Sequence, residues 1–169
     1  MYQRILLAYD GTREGLVALR EGALLAKRFG AQIFLLSVLP PMSGIELADE
    51  VSADVVEQQL DTYRAVLQRG VDVARRLGLE PTAKLAVGEP APEIGSFAKE
   101  IKADLVVLGH RRQNLLERWW SGASGAYVSD HVKCSVLIAR NGVPDDAFRA
   151  ELATPEAQSA PTETPASST

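Results

Sequence analysis

Cysteine is nearly absent from this chain. Cys134 is the only one among 169 residues, which excludes an internal disulfide and any multi-cysteine metal cluster. The plain role left to it is that of a small buried apolar residue. Histidine is almost as scarce, with His110 and His131 alone. A long loop separates them and no nearby Asp/Glu pair completes a metal site, so both read as structural. Long apolar runs are missing too: the opening MYQRILLAYDG is broken at Asp10 too early for a signal peptide or a membrane span, and a cytoplasmic protein is expected. Nor does one sign of charge dominate. The net charge of −4 arises beyond Arg140, where Asp145, Asp146, Glu151, Glu156 and Glu163 face only Arg149. The charge-balanced body offers no broad basic field to nucleic acid or to an anionic membrane.

What is present is alternation. Ile5 to Tyr9 is an apolar run that stops at Asp10-Gly11-Thr12, the pattern of a strand buried on both faces and then a turn. From Arg13 to Phe29, Leu16, Leu19, Ala23 and Ala26 recur at steps of three and four, and Gly30 stands where a left-handed helix stop belongs. Ile33 to Leu39 gives a second strand, closed by Pro40-Pro41. A loop from Met42 to Leu47 follows, then a stripe of Val56, Leu60, Tyr63, Leu67, Val71 and Ala74 predicts a long helix ending near Gly78. Thr82 to Val87 is a third strand, Pro90 and Pro92 suit a first helical turn, and Ile94, Phe97, Ala98 and Ile101 form that helix's apolar face. Leu105 to Leu108 and Ser135 to Ala139 are the fourth and fifth strands. The body spans residues 1–142; residues 143–169 read as a flexible acidic tail rich in Pro, Ser and Thr, with a short helix over Asp145 to Ala153 and its last dozen residues disordered.

Strands alternating with helices imply an α/β fold with a parallel sheet and right-handed crossovers. In such sheets ligands sit beyond the carboxyl ends of the strands, where strand order reverses. Asp10, Val38 and Gly109 fall at such ends. Gly-x-x-x-x-Gly-Lys-Ser/Thr is absent, as are Gly-x-Gly-x-x-Gly after a strand, a nucleophile elbow and a base-activated cysteine. An enzyme is the least favoured class, although weak ATP hydrolysis stays open.

Asp10-Gly11-Thr12 after the first strand, Ser37-Val38-Leu39-Pro40, Gly88-Glu89-Pro90 before a helix, and Ala103 to Gly109 before a long loop occur together and in order. As a set they resemble the universal stress protein family over about residues 2–140. The resemblance implies a five-stranded parallel sheet of order 3-2-1-4-5 sandwiched by helices, of the adenine-nucleotide α-hydrolase-like (HUP) type. It also implies ATP or AMP at the strand ends, with Mg2+ if ATP. The site residues implied are Ala8, Tyr9, Asp10, Val38, Leu108, Gly109, Arg112, Gly122, Ala123 and Ser124.

Nucleotide-binding members carry glycine, two residues, glycine, nine residues, glycine, then serine or threonine. Gly109 and Gly122 match the first and third glycines; Arg112 replaces the second and Ala123 the hydroxyl residue. Glycine lets backbone N–H groups approach phosphate oxygens without a Cβ in the way. Arg112 gives that up, while its guanidinium offers charge instead. Ser121 and Ser124 can supply a displaced hydroxyl, with room from Gly125 and Ala126, and free N–H groups remain at a helix start near Gly122.

Each feature also has a plainer role. Asp10 is either the residue bordering a nucleotide or a turn and cap residue. Val38 would act through its backbone, toward adenine. Arg111 and Arg112 clamp phosphate or are solvated, and at least one of Trp119 and Trp120 packs over the sheet end or against a partner subunit. Two readings result: a stress regulator that binds adenine nucleotide weakly, and a nucleotide-free dimeric interaction module. Both expect a homodimer through Ser135 to Ala139, with a further, unidentified protein partner open.

Overall fold

The computed structural model describes residues 1–41, 53–110, 128–140 and 142–153. The apolar runs become strands and the periodic segments helices, in the order β1 (Arg4–Ala8), α1 (Arg13–Phe29), β2 (Gln32–Leu39), α2 (Ala53–Arg76), β3 (Thr82–Val87), α3 (Pro90–Glu100), β4 (Leu105–Gly109), α4 (Val128–His131), β5 (Ser135–Ala139) and α5 (Asp145–Ala153). The sheet is parallel with order β3-β2-β1-β4-β5. Its first pairing moves outward from β1 to β2, and the chain later returns to β1's other side with β4. The reversal of order lies between those two neighbours.

Each central strand supplies both faces of the sheet, because successive side chains point to opposite sides. Ile5, Leu7 and Tyr9 of the β1 segment, with Leu105 and Val107 of β4, join the core under α1 and α2. Leu6, Val106 and Leu108 join the core under α3 and α4. α1 begins at Thr12, whose hydroxyl accepts from the Gly15 amide, and stops at Gly30 in the left-handed conformation, whose N–H bonds back to Ala26 and Lys27. The stop expected at Gly30 is therefore confirmed. Among the described residues no helix is long and apolar enough to cross a membrane.

Several boundaries shift from expectation by one residue: β1 and β2 start one residue earlier, at Arg4 and Gln32, and β4 ends one later, at Gly109. Tyr9 lies past the end of β1, yet its N–H still donates to the Leu36 carbonyl at 2.9 Å. The packed body also runs beyond residue 142. α5 forms where a short helix is expected but is not part of a loose tail: Phe148 is 4% exposed and shares the core with α1. Charge dominates the composition of this segment, so its single aromatic anchor is easy to overlook. Cys134 is half-buried; burial first, and the Asp104 charge second, push its thiol upward, in keeping with an inert structural role.

At the amino end of the sheet Asp104 is a clamp. Its carboxylate accepts from the Gln3 amide at 2.7 Å and from the Arg4 amide at 3.2 Å, while its own amide donates to the Arg4 carbonyl and its carbonyl accepts from Ser135. One residue thus ties the starts of β1, β4 and β5. Asp104→Ala removes a charged acceptor from two amides and should lower unfolding free energy by about 1–3 kcal/mol, measured by urea denaturation; a loss below experimental error would show that water replaces the clamp.

Candidate functional site

The carboxyl ends of β1, β2 and β4 meet beside the start of α1. The Asp10 Oδ1 atom accepts from the Thr12 amide at 3.0 Å and from the Thr12 hydroxyl at 2.5 Å. That hydroxyl accepts in turn from the Gly15 amide at 3.0 Å. Asp10 therefore takes the turn role, with Thr12 as the cap between it and the helix. Gly11 sits between them at φ +79° with Val66 of α2 3.0 Å from where a Cβ would stand, so conformation and space both call for glycine.

Gly109 is held by contact of another kind. A Cβ there would collide with the Glu14 carbonyl oxygen, and would stand 2.5 Å from the Glu14 carbonyl carbon and 2.8 Å from the Gly15 nitrogen. The end of β4 lies directly on the first turn of α1, which only a residue without a side chain permits. His110 continues the pairing, its N–H donating to the Ala139 carbonyl at 2.9 Å.

Among the other expected site residues, Ala8 is half-buried at the end of β1, and Leu108 is buried beneath α3 and α4. Tyr9 turns its ring into the core, 6% exposed, against Gly70 and Leu35. Its carbonyl accepts from the buried Ser37 hydroxyl at 2.6 Å, so its side chain is not offered to the strand ends. Val38 is placed through its backbone. The Leu36 carbonyl bonds to Tyr9 and the Leu39 carbonyl to Gly88, so alternation turns the backbone groups of Val38 toward the β1 side. There β1 has already ended. Arg111, Arg112, Trp119, Trp120, Ser121, Gly122, Ala123, Ser124, Gly125 and Ala126 lie outside the described residues.

One neighbour of this edge has no sequence signal. α2 passes Gly11 at Val66 and Tyr9 at Gly70, so its first half runs on past the strand ends, by ~20 Å at 1.5 Å per residue. Arg69 is exposed, with its Nη2 atom 3.7 Å from the Cβ position at Gly11. Within a long amphipathic helix nothing marks this arginine out. His131, from α4, brings its Cβ and its carbonyl against Gly95 of α3, whose missing Cβ leaves room for both. Among the described residues no three His, Cys, Asp or Glu side chains are grouped to hold a metal.

A family model described as the universal stress protein family matches residues 1–140. The chain belongs to the universal stress protein family. A universal stress protein of Methanocaldococcus jannaschii is 28% identical over 141 residues, covering 83% of each chain. One of Synechocystis sp. is 31% identical over 153 residues, 83% of this chain and 99% of its own. Among solved structures, a universal stress protein in complex with cAMP matches with a TM-score of 0.62 at 26% identity, over 81% of this chain and 96% of the other. The universal stress protein from Archaeoglobus fulgidus in complex with dAMP has a TM-score of 0.58 at 22% identity, over 82% and 98%; at that identity the likeness is one of fold. Sheet order and layers are those of the universal stress protein fold.

Within this universal stress protein, the Gly109 contact separates packing from ligand binding. Gly109→Ala should cost about 1–3 kcal/mol of stability, read as a lower urea midpoint with no nucleotide present. An unchanged midpoint would show that α1 yields freely, and that packing does not account for this glycine.

Proposed function

We propose that this chain is a stress-response regulator that binds adenine nucleotide, ATP or AMP, weakly across the carboxyl ends of β1, β2 and β4, and does so as a homodimer. The observation that supports the reading is the end of the β1–β2 pairing at Ala8 and Leu36, beside the reversal of strand order. The Val38 backbone faces it from β2, the Asp10 turn borders it, and Gly109 bounds it on β4. A donor and an acceptor on one residue suit the edge of an adenine. A relative of the same fold, 26% identical, was solved with cAMP, which supports the ligand class. Phosphates would lie toward Gly109 and Gly122, with Ala123 and Ser124 at the start of the following segment. Mg2+ would enter with ATP, bound chiefly through phosphate oxygens. Asp10 follows β1 at these strand ends, and its Oδ1 is already held by Thr12.

Arg112 and Ala123 remove backbone freedom and one donor from the phosphate cradle, while Arg111 and Arg112 add charge. Affinity for ATP should be weak and should fall as salt rises. Isothermal titration at low and high salt checks this, with Arg112→Gly flattening the salt dependence and Gly122→Val abolishing binding while circular dichroism stays unchanged. Tight binding indifferent to salt, or an unaltered Gly122→Val titration, would overturn the assignment. Silence toward both ATP and AMP at millimolar concentration would favour the nucleotide-free interaction module, the reading that Arg112 and Ala123 themselves favour. Arg112→Gly combined with Ala123→Ser would then show whether the lost cradle can be restored.

The dimer reading rests on a difference between the sheet's two edges. β3 carries Lys84, which pairs with Glu100 at 2.6 Å and covers the Phe97 ring at 4.6 Å; a charged edge resists strand pairing. β5 reads Ser-Val-Leu-Ile-Ala and has no charge. The Ser135 N–H and Ala139 carbonyl both bond inward to the β4 segment, so by alternation Leu137 also faces β4, and Val136 and Ile138 present their N–H groups outward. Ile138→Pro removes an outward donor and spares the ladder to β4. It should give folded monomers by light scattering; a wild type that is monomeric at micromolar concentration, or a dimer untouched by the proline, ends this part of the proposal.

A further inference from the structure

The matched family region ends at residue 140, yet the chain goes on to α5 and seats it on α1. The seat is one face of α1, at the helical spacing of Val17, Arg20, Lys27 and Arg28. Val17 lies 3.1 Å from a Cβ position at Gly142. The Arg20 guanidinium stands 4.8 Å from the centroid of the buried Phe148 ring. Lys27 Nζ donates to the Glu151 carbonyl at 3.1 Å, and Arg28 pairs with the Glu151 carboxylate at 2.7 Å.

Opposite charge meets at the end of the contact, where Lys27 and Arg28 face Glu151. α5 opens with Asp145 and Asp146, has no basic residue in its last turn, and receives from Lys27 the cation that the carbonyl end of a helix favours. Nine residues are too few to hold a helix alone in water, so the order of α5 depends on its seat. The Arg28 side chain is 71% exposed, which makes the ion pair worth little and leaves Phe148 as the anchor.

We infer that this face of α1 is a docking surface for an acidic amphipathic helix presenting an aromatic residue followed three positions later by glutamate, and that α5 is the resident ligand a partner helix displaces. The partner's chemistry is read from α5 itself: Phe148 fills the site beside Arg20, and Glu151 meets Lys27 and Arg28. Release of α5 exposes the face, and the freed segment loses its helix. The mode is a helix laid along a groove through spaced anchors.

The test uses the full-length protein and a fluorescently labelled peptide of residues 143–153. Phe148→Ala weakens the resident helix, so fluorescence anisotropy should show the peptide binding this variant about tenfold or more tightly than wild type, a difference of ~1.4 kcal/mol. Binding should weaken with salt, and a peptide carrying the same Phe→Ala change should not bind. A folded Phe148→Ala chain that takes up the peptide no better than wild type overturns the inference. If that variant fails to fold, hydrogen exchange on the wild type decides. Amides of α5 should exchange well before those of α1, and sooner still at high salt; exchange of α5 only in step with global unfolding would make it a fixed part of the body. None of these readouts involves nucleotide.

Discussion

The candidate site depends on how closely the first turn of α1 approaches the end of β4. Gly109 lies against the backbone of Glu14 and Gly15, and any side chain there would push helix and strand apart. The same turn is fastened from the other side by the Asp10–Thr12–Gly15 relay. β1 thus ends in a corner fastened by a backbone contact on one side and a hydroxyl relay on the other. A site built on backbone tolerates much side-chain change around it, provided that the glycines making the approach stay in place.

That corner alters the meaning of the retained glycines. A motif glycine is commonly read as ligand space, yet Gly109 is already required by α1 with no ligand considered. Its presence is therefore weak testimony for nucleotide on its own. The backbone of Val38 is better testimony, because the ladder's alternation turns it toward the β1 side, just past the last β1–β2 pair, Ala8 with Leu36. The two observations bear on different things: Gly109 on how the scaffold closes, Val38 on what the scaffold leaves available.

Much of the scaffold was legible in the sequence because its signals are local. Buried strands appear as apolar runs cut off by Asp10-Gly11 and Pro40-Pro41, and α1 is bracketed by Thr12 and Gly30. The order of strands is not local, and it came from the family resemblance rather than from periodicity. Contacts between distant segments were out of reach. Nothing near Tyr9 says that its ring turns inward against Gly70, nothing in α2 says that Arg69 passes Gly11, and nothing before Asp104 says that it will hold Gln3 and Arg4. The segment bearing Arg112, Gly122, Ala123 and Ser124 is legible only as a pattern of residue types, which names the chemistry without placing an atom.

The two arginine-bearing regions lead to a view of how such a chain can change ligands without changing fold. A phosphate cradle made of glycine backbone is preorganised and short-ranged, since its N–H groups act only at hydrogen-bond distance. Replacing one glycine with arginine trades that geometry for charge, which acts at longer range but is screened by salt. On α1, Arg20, Lys27 and Arg28 make a second cationic face, and there the chain supplies its own partner in Phe148 and Glu151. An arginine beside an aromatic ring gains from the ring's negative face as well as from nearby carboxylate, so this seat prefers an acidic helix with an aromatic anchor over a free anion. The same residue type thus stands in two different settings: in the sequence Arg112 takes the place of a motif glycine, and on α1 Arg20 stands against the Phe148 ring. What a cation can select follows from what surrounds it: on α1 the charge stands beside a buried aromatic ring and the carbonyl end of a helix, a setting that discriminates between side chains rather than between anions.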